Sequence, residues 1–453
     1  MDKIKDFINT NKERILNELF DFIRIPSVSA KPENKSAMYD AAQYLKNAIL
    51  SAGAERAEIL ETAGWPLVYG EKIIDASKPT VLVYGHYDVQ PEEPLELWNS
   101  PPFEPEIRDG KIYARGADDD KGQLFMHVKA FEFMVQQNIL PCNVKFIFEG
   151  EEEIGSESLE RFCKQHKELL KADVILVSDT SMISLDVPTI TTGLRGLAYF
   201  EITLKGQSRD LHSGLFGGAV INPVNELSRL IAGLIDAEGK VTIPGFYNSV
   251  QTVSAEERKL LNSVPFDEKK FYAGINLKNG GGEKGFTVIE RLGIRPSLDV
   301  NGIWGGHISQ GAKTVLPAEA HAKISMRLVP DQHPEEIAKL FKDYLQKQIP
   351  EDFTIEIEYL HGGTPYVLPF YSLELEAAVN ACQKTFGKKP VPVRSGGSIP
   401  VISVFEQVLG IKAVLMGFGL ESDAIHAPNE NYPLDNFFKG LETIPWFYHF
   451  YKK

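Results

Sequence analysis

The most informative segment of the chain runs from Asn143 to Ser156 and reads NVKFIFEGEEEIGS. Its apolar part, VKFIF, has the pattern of a short buried β-strand, and a cluster of glutamates that includes Glu152 and Glu153 follows it. Adjacent carboxylates beside a buried strand repel one another and resist desolvation unless something neutralises them. A divalent cation does so, and one carboxylate left unbound can serve as a base. The segment therefore predicts a metal site at the end of a buried strand.

Two other apolar runs, TVLVY and VILV, also lead into residues that can bind metal, namely His86 and Asp179. Helical periodicity separates these runs, which indicates parallel strands covered by helices on both faces. In open α/β sheets, ligand crevices form at the carboxyl ends of the strands. We therefore expect His86, Glu152, Glu153 and Asp179 to lie at one edge of the sheet.

The pattern of the chain changes near Pro188. Three runs that follow it, LAYFEITL, AEAHAKISMRL and TIEIEYL, are strand-like and are separated by amphipathic helices and by a loop-rich stretch at residues 240–300. This order suits a small sheet with helices on one face, of the ferredoxin-like kind. We predict an α/β protein whose first domain, residues 1–189 and 367–453, has a mostly parallel central sheet flanked by helices. An α+β domain is predicted to be inserted at residues 190–366.

Composition narrows the class of protein. The chain has 453 residues, a length that favours two domains, and a formal net charge of −14, which argues against nucleic acid or an anionic membrane as the main partner. No apolar run reaches the roughly 18 residues that a membrane span needs, and the N-terminus is too charged for a signal peptide. The three cysteines do not suggest a disulfide framework. These features indicate a cytoplasmic protein.

Two polar loops add further candidate ligands. RGADDDKG places Asp118, Asp119 and Asp120 just before a helix, and helix capping accounts for one acid but not for three. The loop DAIHAPNE contains His426, although a lone loop histidine is usually just exposed to solvent. Taken with the strand ends, two histidines and three or four carboxylates suit a pair of borderline divalent ions such as zinc or manganese. Two metals about 4 Å apart, joined by a carboxylate and a water, are a known hydrolytic arrangement.

The order of these motifs resembles that of a known enzyme family. GHYDVQP, RGADDDKG, FEGEEEIGS, SDT and IHAPNEN look like the motifs of the di-metal aminoacylase and carboxypeptidase-G peptidases. RDLHSGLFGG, AKTVLP, MRLVPD and SGGSIP look closer still to its cytosolic non-specific dipeptidases and carnosinases. The resemblance implies a zinc-peptidase-like catalytic domain, an inserted lid that forms a homodimer, and hydrolysis of small peptides.

The resemblance also implies two metal positions. One would be held by His86, Asp119 and Asp179, and the other by Asp119, Glu153 and His426. The three consecutive aspartates leave the choice of bridging residue open, and the following Lys121-Gly122 aligns the motif on Asp119. A cis peptide bond is expected after the bridging aspartate.

Catalytic and substrate-binding roles follow from the same motifs. Glu152 would be the general base, and Asp88, two residues after His86, would orient its imidazole. His212 would stabilise the oxyanion from the partner subunit's lid, together with Thr314, although a surface histidine is the simpler interpretation. For the substrate's C-terminal carboxylate, the candidate ligands are Arg327 and Ser398, whose ordinary roles would be a surface ion pair and a helix N-cap.

Three functions remain open on the sequence alone. The leading one is a metal-dependent dipeptidase of broad specificity. The second is an amidohydrolase acting on N-acyl amino acids, such as an aminoacylase or a succinyl-diaminopimelate desuccinylase, which would need the same metals and a different pocket. The third is a binding protein that has lost catalysis, which the complete ligand set argues against. The sequence leaves open which metal is native and which side chains are preferred.

Overall fold

The structure is a computed structural model that describes residues 3–397 and 399–451. The chain divides into two compact units. Unit 1 comprises Met1–Thr192, Leu368–Val393 and Pro400–Lys453, and unit 2 comprises Gly193–Val367 and Arg394–Ile399.

The β-strands are numbered in chain order. They are β1 (Arg56–Leu60), β2 (Leu67–Lys72), β3 (Thr80–His86), β4 (Glu106–Arg108), β5 (Lys111–Tyr113), β6 (Asn143–Glu149), β7 (Val174–Val177), β8 (Ser181–Met182), β9 (Thr189–Leu194), β10 (Gly196–Lys205), β11 (Leu211–His212), β12 (Ser297–Gly305), β13 (Val315–Leu316), β14 (Glu319–Leu328), β15 (Thr354–Gly363), β16 (Tyr366–Val367), β17 (Val391–Ser395), β18 (Ala413–Leu415), β19 (Gly419–Leu420) and β20 (Asn431–Pro433).

The α-helices are numbered in the same way. They are α1 (Ile4–Ile23), α2 (Lys35–Ser51), α3 (Lys121–Gln136), α4 (Leu159–Gln165), α5 (Lys167–Leu170), α6 (Ser213–Phe216), α7 (Pro223–Ala232), α8 (Ala255–Leu261), α9 (Glu268–Gly274), α10 (Val288–Gly293), α11 (Pro334–Gln346), α12 (Leu373–Phe386), α13 (Pro400–Val404) and α14 (Leu434–Phe450). Within the described part of the chain, no helix has both the length and the apolar character needed to cross a bilayer.

Unit 1 is built on a mixed sheet in the order β1-β2-β6-β3-β7-β18-β9. Its central strands β6, β3, β7 and β18 are parallel, because helical crossovers such as α3 connect them. The outer strands β1, β2 and β9 pair antiparallel. The predicted central sheet with parallel strands is confirmed, and its antiparallel pairs lie toward the edges. The edge strands β1 and β2 were not recognised in the sequence.

Helix α3 lies at the centre of unit 1. Its residues from Lys121 to Met134 are buried, and it packs against α1, α14 and β3. Fourteen consecutive residues are buried, so the helix belongs to the core although several of them are polar or charged. The helix begins directly after Asp120, where the Lys121 Nζ atom donates hydrogen bonds to the carbonyl oxygens of Ile25 (2.6 Å) and Phe22 (3.2 Å). The start of α3, and with it the preceding aspartates, is thereby tied to the end of α1.

Unit 2 contains a four-stranded antiparallel sheet in the order β12-β14-β10-β15. Strands β10 and β14 alternate between buried and half-buried residues, and their buried face packs against α7 and α11. This order of strands and helices is ferredoxin-like, as expected from the sequence. The core of the unit includes Phe200, Ile202, Ile324 and Phe341.

The expectation of a loop-rich stretch at residues 240–300 is wrong in part, since it contains α8, α9, α10 and the start of β12. Each of these short helices has a side-chain N-cap. Ser254 accepts a hydrogen bond from the amide of Glu257, Asp267 accepts from two following amides, and Thr287 forms a capping box with Glu290. These caps were readable in the sequence, but the helices are too short for a clear apolar period.

Candidate metal centre

Three parallel strands bring the predicted ligands to one edge of the unit 1 sheet. Strand β3 ends at His86 and lies between β6 and β7. After β6, a single 3₁₀ turn from Glu152 to Ile154 carries Glu153, and Asp179 follows β7. Because the strands are parallel, their carboxyl ends meet on the same side, and the ligands converge there.

Asp119 lies between two histidines. Its Oδ1 atom is 3.1 Å from His86 Nε2, and its Oδ2 atom is 2.9 Å from His426 Nε2. The other carboxylates complete two groups: Asp179 Oδ2 is 3.9 Å from His86 Nε2, and Glu153 Oε2 is 3.3 Å from His426 Nε2. Within each group the candidate ligand atoms lie within 4.8 Å of one another. Asp119 is the residue that the two groups share.

The electrostatics of the cluster fit a pair of divalent cations. Burial alone would raise the pKa of Asp119, but hydrogen bonds from His426 and His86 hold it below its ordinary value. In return, hydrogen bonds to Asp119 and Glu153 raise the pKa of His426 to about 10. The carboxylates therefore attract positive charge strongly, and metal ions that displace the imidazole protons would supply it. Imidazole and carboxylate ligands without thiolates are the donor set of zinc or manganese.

The three consecutive aspartates have different surroundings. Asp120 Oδ2 accepts a hydrogen bond from the backbone amide of His86 at 3.1 Å, so Asp120 supports the end of β3. Asp118 is buried against Gly419, where an added Cβ would lie 2.5 Å from its Oδ2 atom. Only Asp119 belongs to both ligand groups. The bond between Asp119 and Asp120 is cis, which confirms the expectation from the sequence.

Gly122 allows the aspartate loop to fold back onto the start of α3. A Cβ atom at this position would lie 1.9 Å from the carbonyl oxygen of Ala117, which is backbone and cannot move aside. Only glycine therefore fits at this position of the motif, because any side chain would collide with the backbone of Ala117.

Asp88 supports two ligands at once. His86 Nδ1 is 3.0 Å from the backbone carbonyl of Asp88 and 3.4 Å from its carboxylate. We predicted that the side chain of Asp88 orients the imidazole, but the nearer partner is its backbone carbonyl. The Asp88 Oδ2 atom accepts a hydrogen bond from the amide of Glu153 at 3.1 Å. A proton held on Nδ1 leaves the lone pair of His86 Nε2 for a metal.

Gln90 was missed in the sequence analysis. Its Nε2 atom donates a hydrogen bond to Glu153 Oε2 at 2.6 Å and so orients this candidate ligand. The only signal was its position in GHYDVQP, two residues after Asp88, because an amide side chain carries no charge pattern of its own.

Glu152 and Glu151 are neighbours with different surroundings. The carboxylate of Glu152 makes none of the hydrogen bonds or ion pairs found among the described residues, and burial raises its pKa to about 7. The carboxylate of Glu151 instead accepts hydrogen bonds from the amides of Trp65 and Ser158, each at 3.1 Å. Glu151 therefore holds the loop together, whereas Glu152 makes no comparable contact among the described residues.

The remaining predicted site residues belong to unit 2. His212 is exposed in β11, which pairs with β13, and the amide of Ser213 donates to the carbonyl of Thr314 at 3.0 Å. His212 and Thr314 are thus close together. Arg327 is half-buried on β14, opposite Leu197 of β10. Ser398 lies outside the described residues.

Arg195 is a second arginine of unit 2 that sequence analysis did not single out. Burial lowers its pKa to about 10, with a further contribution from the nearby Arg327. Its Nε atom donates a hydrogen bond to the carbonyl of Gly396, in the SGGSIP motif, at 3.2 Å. No local pattern marks this arginine, since its partners lie far away along the chain.

The chain is similar to several known peptidases. Residues 82–445 match Peptidase family M20/M25/M40. The chain is 32% identical to the Cys-Gly metallodipeptidase of Schizosaccharomyces pombe over 99% of this chain and 98% of that protein. It is 28% identical to the Beta-Ala-His dipeptidase of Homo sapiens over 99% of this chain and 92% of that protein.

Among solved structures, the M20 family metallo-carboxypeptidase of Sulfolobus solfataricus is similar with a TM-score of 0.84 and 34% identity. The match covers 96% of this chain and 99% of that chain. Since the family match extends over most of the chain and these relatives match it nearly end to end, the chain belongs to peptidase family M20/M25/M40.

Proposed function

We propose that this protein is a metal-dependent dipeptidase of broad specificity. The observation that carries the proposal is Asp119, whose two carboxylate oxygens face different histidines. Nearby, the carboxylate of Glu152 has no hydrogen-bond or ion-pair partner among the described residues. Relatives of nearly the same length are named dipeptidases, which supports small peptides as substrates.

The proposed cofactors are two divalent ions per subunit, zinc or manganese. One would be held by His86, Asp119 and Asp179, and the other by Asp119, Glu153 and His426. Such ions supply Lewis acidity for the peptide carbonyl and make water a better nucleophile at neutral pH.

The side chains of the cluster would handle the protons. Glu152 would accept a proton from the attacking water on a carboxylate oxygen and then return it to the nitrogen of the leaving amine. Its backbone is held in place because Asp88 binds the next amide, that of Glu153. Gln90 orients the neighbouring Glu153 side chain by donating a hydrogen bond to its Oε2 atom.

We assign the catalytic domain to residues 1–189 and 367–453 and a lid and dimerisation role to residues 190–366. His212 Nδ1 accepts a hydrogen bond from the amide of Gly214 at 2.9 Å, so the neutral imidazole carries its proton on Nε2. That N–H is suited to stabilise an oxyanion, with Thr314 beside it, and a second copy of the chain would supply both. Arg327 and Ser398 would bind the substrate's C-terminal carboxylate.

We also propose that the enzyme is cytoplasmic and acts as a homodimer. Cys142, Cys163 and Cys382 are free and buried, which suits a reducing compartment. Exposed apolar side chains in unit 2, including Leu215 at 77% and Ile221 at 50% exposure, support an interface there.

The test is a substrate panel given to metal-stripped protein before and after zinc or manganese is added. Cys-Gly, β-Ala-His and simple dipeptides would be compared with their N-acylated forms and with tripeptides. We expect metal-dependent cleavage of the free-amine dipeptides and of no other compound in the panel. Cleavage of N-acyl dipeptides and of tripeptides from the C-terminus would instead favour a carboxypeptidase, an activity suggested by the 34% identity to a metallo-carboxypeptidase and not by the sequence motifs. Cleavage of simple N-acyl amino acids alone would indicate an amidohydrolase, and no cleavage would refute the proposal.

A further inference from the structure

A buried ion pair beside the metal cluster has no role in the chemistry described above. The side chains of Arg115 and Glu430 are 1% and 0% exposed, and Arg115 Nη1 lies 2.8 Å from Glu430 Oε2. Removing two charges from water is unfavourable unless the geometry is good and the remaining donors and acceptors are satisfied. The geometry is good here, and both carboxylate oxygens of Glu430 accept hydrogen bonds, whereas Arg115 Nε has no hydrogen-bond partner among the described residues.

The carboxylate of Glu430 binds the loop that carries Asp119. Its Oε2 atom accepts a hydrogen bond from the amide of Gly116 at 3.0 Å, and its Oε1 atom accepts from the amides of Asp118 and Asp119, each at 3.1 Å. Together with Arg115, one carboxylate thus receives four donors from a segment of five residues. This arrangement sets the path of the backbone at Asp119.

Glu430 also belongs to the loop that carries His426. This loop contains non-glycine residues with positive φ at Ala424 (57°), His426 (59°) and Asn429 (65°), a conformation that is uncommon and needs support from its surroundings. Strand β20 begins directly after Glu430 and pairs with β5, while the amide of Ala114 donates to the Glu430 carbonyl at 3.1 Å. Glu430 therefore joins the His426 loop to the Asp119 loop.

Arg115 extends the connection to a third loop. Its Nη2 atom donates a hydrogen bond to the carbonyl of Pro91 at 3.2 Å, next to Gln90, and its guanidinium lies over the ring of Trp98 at 5.4 Å. The segment before Pro91 carries His86 and Asp88. The ion pair therefore contacts three loops that carry candidate ligands or their supports.

We infer that Arg115 and Glu430 are positioning residues that hold these three loops in the arrangement required for metal binding. The inference rests on the proposed function, because it concerns the same metal ions. Loops held in place before binding lose less conformational freedom when the ions arrive, so affinity is higher. Loss of residues that support metal ligands typically lowers metal affinity by about 10–100-fold.

The experiment is a titration of the metal-stripped Glu430→Gln variant with manganese. Binding is measured by calorimetry and by the electron paramagnetic resonance of Mn²⁺. In either orientation the NH2 group of the glutamine would face donors, those of Arg115 and Gly116 or those of Asp118 and Asp119, so one side of this contact would be lost. We expect manganese affinity to fall by about 10–100-fold, while circular dichroism shows a folded protein. Unchanged affinity would overturn the inference.

Glu132→Gln is the matched control. Glu132 is also a buried carboxylate of unit 1 and pairs with Arg14 at 2.6 Å and Lys129 at 2.8 Å. Among the described residues, none of its hydrogen bonds or ion pairs reaches the ligand loops. This variant should lose stability without losing manganese affinity. An equal loss of affinity in both variants would mean that Glu430 acts only through general stability, which would also overturn the inference.

A measurement on the metal-free wild-type protein covers the case in which Glu430→Gln does not fold. The amides of Gly116, Asp118 and Asp119 should exchange slowly with solvent, because Glu430 holds them before any metal is bound. Fast exchange at these amides would contradict the inference. Wild-type protein that binds no manganese would refute the proposed metal centre and the inference with it, whereas metal binding without dipeptide cleavage would refute only the proposed activity.

Discussion

At the scale of single residues, identical side chains that are adjacent in sequence have different surroundings. Asp119 faces two histidines, whereas Asp120 binds the amide of His86. Glu152 is unengaged among the described residues, whereas Glu151 binds two amides. The residues of each pair are chemically the same. The direction in which each side chain points therefore decides whether it can serve as a candidate ligand or base or instead supports the backbone.

Replacing Glu152 by Gln should lower turnover of dipeptides by about 10²–10⁴-fold, because the carboxamide cannot accept the proton of the attacking water. Metal content should stay near the wild-type value. The check is steady-state kinetics together with metal analysis, and Glu151→Gln is the control, since it should lower stability while turnover changes by less than about tenfold. Normal turnover in Glu152→Gln would remove Glu152 from the mechanism.

Replacing Arg327 by Ala should raise KM for free dipeptides far more than for dipeptides with an amidated C-terminus, because only the free carboxylate can bind the guanidinium in a bidentate manner. Lys323→Ala is a suitable control, since Lys323 lies on the same face of β14 and is 3.6 Å from Glu201. Equal losses for free and amidated substrates would contradict the proposed role.

At the scale of elements, α3 joins the core to the metal cluster. Within it, His127 is fully buried, and its Nε2 atom lies 2.8 Å from Ser178 Oγ, which donates to the carbonyl of Met416 at 2.8 Å. The imidazole is therefore the donor to Ser178. Burial lowers the pKa of His127 to about 3, so it stays neutral at moderately acidic pH.

This buried histidine predicts a pH dependence of stability. The folded-state pKa of His127 lies below the unfolded value of about 6.5. The contribution of the neutral imidazole to the free energy of unfolding is therefore complete above about pH 6.5 and is lost as the pH falls toward 3. Between pH 7 and pH 5, wild-type protein should lose about 2 kcal/mol more free energy of unfolding than His127→Gln. Denaturant titrations of metal-free protein at both pH values test this, and equal losses would show that His127 does not contribute.

At the scale of the whole molecule, the proposed homodimer can be tested through the exposed apolar residues of unit 2. Leu215→Glu should shift the mass measured by light scattering from dimer toward monomer, because a charge would be placed in an apolar interface. Dipeptidase activity should fall with it if a second copy supplies His212. The control is Leu373→Glu in unit 1, where the side chain is 56% exposed. A monomeric wild-type protein with full activity would contradict the proposal.

Much of the architecture follows from local patterns. The apolar runs before His86, Glu149 and Asp179 predicted the central parallel strands, and alternating residues predicted the antiparallel sheet of unit 2. The edge strands β1 and β2 and the short helices between residues 254 and 293 were not recognised. Short elements have too few residues for a clear period, and their formation depends on neighbours in space.

Local sequence patterns were enough to predict which polar residues follow the buried strands, since side-chain period and chain order are properties of neighbouring residues. The contact of Gln90 with Glu153 and that of Glu430 with the loop of Asp119 became visible only in the folded chain, because these residues are more than 60 and 300 positions apart. Such pairs depend on how the strands stack into a sheet and how the loops at its edge pack. That packing places distant segments within hydrogen-bond distance, and no local pattern encodes it.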